Sequence, residues 1–323
     1  MSKFSDYLRL MRISLLPTAW SNILMGFAIS ALPTATPYQW WGLLLLLLCS
    51  SCLYLAGMVM NDVCDFRLDC QERPERVLPS GKISLTQAKV LLSGLVIVAF
   101  VSASGAATLS QSELWTPVWV AFLILISVYL YNGWAKSTWL GPFAMGFCRT
   151  TNVLLGCSLT SSAQSFPFFD SVQIYIAACV GVYVAGITLY ARDEHQSSSR
   201  TNLIGGTSLM TIAVAGLAAL PYTPQWLAAE NSAGNTIAQL QRPMLFVGLL
   251  IMMIFPVFRN LLVGISTQAP RDVKKSVVTS LLTIIMIDAS ICYLVSSNTP
   301  IYALLVALLI IPAWITSRRI MAT

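Results

Sequence analysis

Long apolar stretches separated by short polar joints set the pattern of this chain. Ten such stretches stand out, at roughly 13–32, 38–60, 86–109, 117–134, 139–160, 171–190, 203–221, 243–264, 276–297 and 300–317. Most run about 18 to 25 residues, the length a helix needs to cross a hydrocarbon core of about 30 Å. Runs such as Leu43 to Leu48 are continuously apolar, without the alternation of a membrane barrel. The pattern therefore predicts an all-α, polytopic transmembrane helical bundle, read as one integral membrane domain over residues 1–323. The joints around 33–37, 110–116, 161–170 and 222–242 carry Pro, Ser, Thr or Gly and almost no Lys or Arg. The first run, Ile13 to Leu32, is too long for the apolar part of a signal peptide, so it is expected to remain as the first span.

Composition agrees: 56% of the residues are hydrophobic and 10% charged, which excludes an ordinary soluble domain. The net charge of +6 follows topology and does not mark a nucleic-acid partner. Lys3, Arg9 and Arg12 precede the first stretch, and Arg67, Arg73, Arg76, Lys82 and Lys89 lie around the joint between the second and third. Lys136, Arg192, Arg200, Arg259, Arg271, Lys274, Lys275, Arg318 and Arg319 fall at the same end of later stretches. Only Arg242 lies opposite, and Arg149 lies within a stretch. Because basic residues stay inside, both termini are expected in the cytoplasm of a bacterial-type inner membrane. That requires an even number of crossings, so the short last stretch, with Pro312, is expected to cross too. The eight cysteines sit mostly in apolar runs. Cys49 and Cys52, a C-x-x-C pair inside a span, read as small buried hydrophobes.

Polar chemistry concentrates just after the second stretch. There the run Asn61 to Gly81 reads N-D-V-C-D-F-R-L-D-C-Q-E-R-P-E-R-V-L-P-S-G. Asn61, Asp65 and Asp69 are four residues apart, so a helix stacks them on one face. Stacked oxygen ligands suit a hard divalent cation. Arg73 and Arg76 follow as fork-shaped donors for phosphate oxygens. A second acidic stretch, Tyr190 to His195 (Y-A-R-D-E-H), ends the sixth span at the same membrane surface. Two such ends at one depth would face each other across a cavity.

The order N-D-x-x-D-x-x-x-D, then R-P-x-R-x-L-P-S-G, resembles the first aspartate-rich motif of the UbiA superfamily of intramembrane prenyltransferases. The resemblance covers most of the chain. It implies a bundle of nine or ten spans and Mg²⁺-dependent transfer of a prenyl group from a polyprenyl diphosphate to a small-molecule acceptor, aromatic or hydroxylic, within the bilayer. It makes Asn61, Asp65, Asp69 and Asp193 metal ligands, with Asp62 adjacent. Arg73 and Arg76 become the basic pair on the diphosphate, joined by Lys136 after the fourth span. The sequence departs from the pattern at Val77, where a proline is usual. It departs again at Ser197, where a second aspartate is usual; Glu194 or His195 could stand in, or Ser197 could hold the metal through water. Arg192 beside Asp193 is nearest the menaquinone branch, and M-G-F-C-R-T-T-N is similar to EboC-like members.

Some polar residues lie inside spans. Arg149 and Asn152, three apart on one face, read as a polar pocket wall, because a charge within a span faces a cavity or a partner. Asn22 resembles an asparagine that relatives carry, with an interhelical hydrogen bond as the competing reading. Asp288 pairs with a polar neighbour or faces the acceptor. Trp20, Tyr131, Trp134, Tyr183 and Tyr190 are candidates to line an apolar channel. The rival class is a transporter of an anionic or polar small molecule, whose polar groups belong near mid-membrane. An intramembrane phosphoalcohol transferase would need D-G-x-x-A-R, which is absent.

Overall fold

The computed structural model describes residues 3–30, 36–110, 115–159, 169–192, 199–223, 236–295 and 300–321. Among them there are helices and no strands. Amphipathic α1 (Lys3–Leu10) leads through a 3₁₀ turn (Ile13–Leu15) into α2 (Leu16–Ser30). Next come α3 (Pro37–Cys64), short α4 (Phe66–Glu72), α5 (Leu85–Leu109), α6 (Thr116–Gly133) and α7 (Gly141–Cys157). The second half holds α8 (Ser171–Tyr190), α9 (Arg200–Ala219), α10 (Thr236–Thr267), α11 (Pro270–Val295), α12 (Pro300–Leu308) and α13 (Ile310–Met321).

Several starts are written in local chemistry. Before α5, the Gln87 N–H donates to Ser84 Oγ at 3.2 Å, and the Ser84 N–H donates back to Gln87 Oε1 at 3.0 Å. This capping box satisfies two orphan donors. Thr36 with Gln39, and Asp170 with Gln173, do the same for α3 and α8.

Eight described helices are long and apolar enough to cross a membrane. Two of the ten expected stretches fall short of that mark. One is α7, with 17 residues and Arg149 inside it. The other is the last stretch, which breaks between α12 and α13. It still runs back along α2: Tyr302 donates its hydroxyl to Leu24 O at 2.8 Å, and Thr316 donates to Ser14 O at 2.9 Å. The chain thus returns to the end of the bundle that carries Arg12.

The crossing of α2 and α7 positions the interior. A Cβ on Gly26 would meet Val153 O at 2.4 Å, and one on Gly156 would meet Ile23 O at 2.5 Å. Only glycine allows the two backbones this close, the small-residue solution to packing helices in lipid. Residues 18–22 of α2 are thereby brought within reach of Arg149 and Asn152 on α7. Large apolar side chains on the outer faces, such as Phe255 at 69% and Leu304 at 60% exposure, suit contact with lipid tails.

Candidate functional site

The second span does not stop where its apolar run stops. Helix α3 carries on through Asn61 to Cys64, breaks at Asp65, and resumes as α4. The backbone ladder persists across the break: Asp65 N–H to Asn61 O at 3.0 Å, Asp69 N–H to Asp65 O at 2.8 Å, and Arg73 N–H to Asp69 O at 2.9 Å. Asn61, Asp65 and Asp69, the three candidate ligands, are therefore linked turn by turn.

Their side chains are engaged by different partners on either side of the break at Asp65. Asp65 pairs with Lys136, which the turn after α6 delivers to it. Asp69, 4% exposed, accepts from Arg76 Nη1 at 2.7 Å. Asp62 accepts from Arg12 Nη2 at 2.8 Å and lies 4.0 Å from Arg76 Nη1. Asn61 leans toward Asp62, its Nδ2 at 3.4 Å from Asp62 Oδ1. Arg73 caps α4 and makes no ion pair within 4 Å among the described residues. Among the described residues, no three acidic, histidine or cysteine side chains form a metal cage.

Sequence reasoning gave Arg12 a topological role only. The structure sets it in a left-handed conformation (φ 45°, ψ 50°) between α1 and the 3₁₀ turn, directly on Asp62. Its signal was its place at the start of the first span, at the same surface as the acidic motif.

Below this cluster opens a cavity of about 430 Å³ between α2, α3, α6, α7, α8 and α11. Arg12, Asn61 and Asn132 line its charged end, and Leu53, Ile124, Val128, Val184, Ile187 and Leu281 give it apolar walls. Arg149, Ser50 and Asn152 form a second polar layer. On α3, Ser50 lies 11 residues before Asn61, about 16 Å of helix rise. Asn152 Oδ1 accepts from Ser50 Oγ at 2.7 Å, and its Nδ2 donates to Ala19 O at 3.1 Å. Arg149 donates to Thr18 Oγ at 2.8 Å and to Asn22 Oδ1 at 3.2 Å. Asn22 is fully buried and does not itself line the cavity.

Of the five aromatics expected around a channel, Tyr131 alone lines the cavity. Tyr183 and Tyr190 are buried in the packing, donating to Ser280 O at 3.3 Å and Leu261 O at 3.0 Å. Trp20 donates to Ser51 Oγ at 2.7 Å, and Trp134 is 59% exposed. Helical spacing identifies an apolar face without telling which neighbour covers it. Tyr54, which sequence reasoning passed over, does line the cavity.

The second acidic stretch is only partly in view. Ala191 lines the cavity and Arg192 is exposed in the turn that follows α8. Asp193, Glu194, His195 and Ser197 lie outside the described residues.

Known proteins share both sequence and architecture with this chain. It is 36% identical over 97 residues to the digeranylgeranylglyceryl phosphate synthase of Saccharolobus solfataricus, a match covering 29% of this chain and 32% of that protein. The aligned part thus spans about a third of that relative's length. A solved digeranylgeranylglyceryl phosphate synthase superposes with a TM-score of 0.60 at 20% identity, covering 90% of this chain and 98% of its own. A UbiA homologue from Archaeoglobus fulgidus, solved with GPP and Mg²⁺ bound, superposes with a TM-score of 0.58 at 15% identity, covering 88% and 99%. These likenesses establish a shared fold. The UbiA prenyltransferase family model matches residues 14–197, more than half of the chain, and with the acidic motif, the cavity beneath it and the shared bundle this establishes that the protein belongs to the UbiA prenyltransferase family.

Proposed function

We propose that this protein transfers a prenyl group from a prenyl diphosphate to a small-molecule acceptor inside the membrane, with Mg²⁺. The carrying observation is the meeting of Asp62, Asp65 and Asp69 with Arg12, Arg76 and Lys136 beside an apolar-walled cavity that Arg12 and Asn61 line at that end. Isoprenoid diphosphates have the matching division: a highly charged head and a hydrocarbon tail. Support comes from relatives named as prenyl-chain enzymes and from the homologue solved with GPP and Mg²⁺.

The donor set fits magnesium. Asp62 and Asp69 share Arg76, so their carboxylates lie close together, with the Asn61 amide beside them. Mg²⁺ is commonly held by one or two carboxylates together with substrate phosphates and water, without an all-protein cage. Asn61, Asp65 and Asp69 would hold it, with Asp193 from the second acidic stretch. When bound, the metal neutralises charge that builds on the departing diphosphate.

The chain's own groups do the rest. Arg76, Arg73, Arg12 and Lys136 offer N–H donors to the phosphate oxygens. The cations of these pairs are partly exposed and can turn from carboxylate to phosphate, Lys136 most readily, because its partner Asp65 is partly exposed too. The C–O bond of the donor breaks, its electron pair leaves with the diphosphate, and the allylic carbon becomes cationic. The acceptor's nucleophilic atom bonds to that carbon and releases a proton. Apolar walls hold water away from the cation. The basic-residue asymmetry supports a cytoplasmic position for this mouth.

The test is direct. Purified protein with Mg²⁺, geranyl diphosphate and a panel of aromatic and hydroxylic acceptors should release diphosphate together with a prenylated product. A panel that gives neither turnover nor donor binding, alongside solute flux across liposomes, would overturn this reading in favour of transport.

A further inference from the structure

The polar layer deeper in the cavity is not used by the diphosphate. Its centre is Arg149, eight residues along α7 from Gly141 and so about 12 Å of helix rise from that end. No carboxylate lies within 4 Å of it among the described residues. A guanidinium carries five N–H groups, and the wall takes two, through Thr18 and Asn22. The group lines the cavity, so the others are available to a ligand. The neighbouring polar groups are already committed: Asn152 is engaged on both sides of its amide, by Ser50 and by Ala19.

Behind Arg149 stands a fully buried acid. Asp288 Oδ2 accepts from Ser21 Oγ at 2.6 Å and from Asn22 Nδ2 at 2.8 Å. Asn22 thus lies between a cation and an anion, and only one orientation of its amide serves both. Its oxygen faces Arg149 and its nitrogen faces Asp288. Asn22, Ser21 and Asp288 are all 0% exposed, so this relay is fixed in the packing. Asp288 stands one side chain away from Arg149. It orients the guanidinium through Asn22 and leaves the fork's free edge to the cavity.

A prenyl tail has nothing to offer the free edge of such a group, and a neutral hydroxyl neither spans the fork nor meets its charge directly, since Asp288 touches it only through Asn22. A compact oxyanion does both, since carboxylate and phosphate match the guanidinium fork. We infer that Arg149 reads an anionic group, a carboxylate or a phosphate, on the acceptor, and that Asp288 is a positioning residue acting through Asn22. The word acceptor rests on the prenyl-transfer reading; the anion site itself is tested apart from it.

Benzoate and phenyl phosphate serve as probes on purified full-length protein, with benzamide as the neutral control, followed by thermal shift. At least one anion should stabilise the wild type saturably while benzamide does not, and the stronger of the two identifies the preferred oxyanion. Arg149→Gln should weaken that probe by about tenfold to a hundredfold, and Arg149→Lys should restore part of it. Asp288→Asn should weaken it severalfold while geranyl diphosphate binding stays at the wild-type value, a split that a general packing defect would not produce. In case Arg149→Gln does not fold, phenylglyoxal labelling of Arg149 in the wild type, read by mass spectrometry, should be blocked by the anion. The inference is overturned if neither anion binds the wild type, if Arg149→Gln binds it equally, or if the label is not blocked. It is also overturned if Arg149→Gln loses geranyl diphosphate, which would make Arg149 part of the diphosphate site. Arg149-dependent anion binding in a protein that ignores geranyl diphosphate would support the anion site and count against prenyl transfer.

Discussion

The two polar layers of the cavity are built on opposite terms. At the mouth, carboxylates and cations meet in pairs whose cations stay partly open to solvent, with Asp65 at 22% and Lys136 at 26% exposure, while Asp62 and Asp69 are nearly buried. Deeper in, Asn22, Ser21 and Asp288 are sealed in the helix packing and hold Arg149 through fixed hydrogen bonds. A cation open to solvent can turn to a charged substrate when one arrives, most readily in the Asp65–Lys136 pair, whose partners are both partly exposed. Side chains with no exposure that are tied by direct hydrogen bonds keep one geometry, even with Asp288 Oδ1 left without a partner. The mouth is suited to capture and release, and the deeper layer to recognition.

Variants should separate the two layers. The largest effect is expected for Asp65→Ala, which should lower diphosphate release by about a thousandfold, the scale of losing a preorganised charge contact. Its melting midpoint in detergent should stay near that of the wild type. Next comes Gly156→Leu, whose side chain has no room against Ile23 O. Overpacking of about 1–3 kcal/mol or more should strip the deeper layer of its α2–α7 frame and reduce the yield of monodisperse protein. Gly94, with nothing within 4 Å of an added Cβ, provides the control position. Asp288→Ala should cost about 1–3 kcal/mol by orphaning the donors of Ser21 and Asn22, read as a lower melting midpoint. A smaller effect is expected for Lys136→Gln, about tenfold in diphosphate release with little change in melting. Least of all, Tyr183→Phe should leave transfer unchanged, because that side chain packs between helices away from the cavity; a large loss there would restore it to the site.

The same contrast governs what the sequence could reveal. The mouth was legible because charge is scarce in this chain and falls in a dense block at Asn61–Gly81, with four-residue spacing that helix geometry translates directly. The spans were legible because lipid demands long apolar helices. Three things were not. The break at Asp65 between α3 and α4 is one that no spacing announces. Arg12 looked like one more topology-setting cation until the structure put it on Asp62. The relay from Asp288 through Asn22 to Arg149 joins residues more than 260 positions apart. Each of the three was visible as a polar residue in an apolar run, but their meeting depends on the Gly26–Gly156 crossing. The aromatics failed for a related reason: periodicity assigns Tyr183 and Tyr190 to a buried face and is silent on whether cavity or helix covers it.

The central claim is that the mouth holds a prenyl diphosphate through magnesium. Calorimetric titration of geranyl diphosphate into the purified protein, with Mg²⁺ and again with chelator, tests it most directly. Saturable binding should appear with Mg²⁺, vanish on chelation, and be lost in Asp65→Asn. Binding that is equally tight without the metal, or indifferent to Asp65, would contradict it.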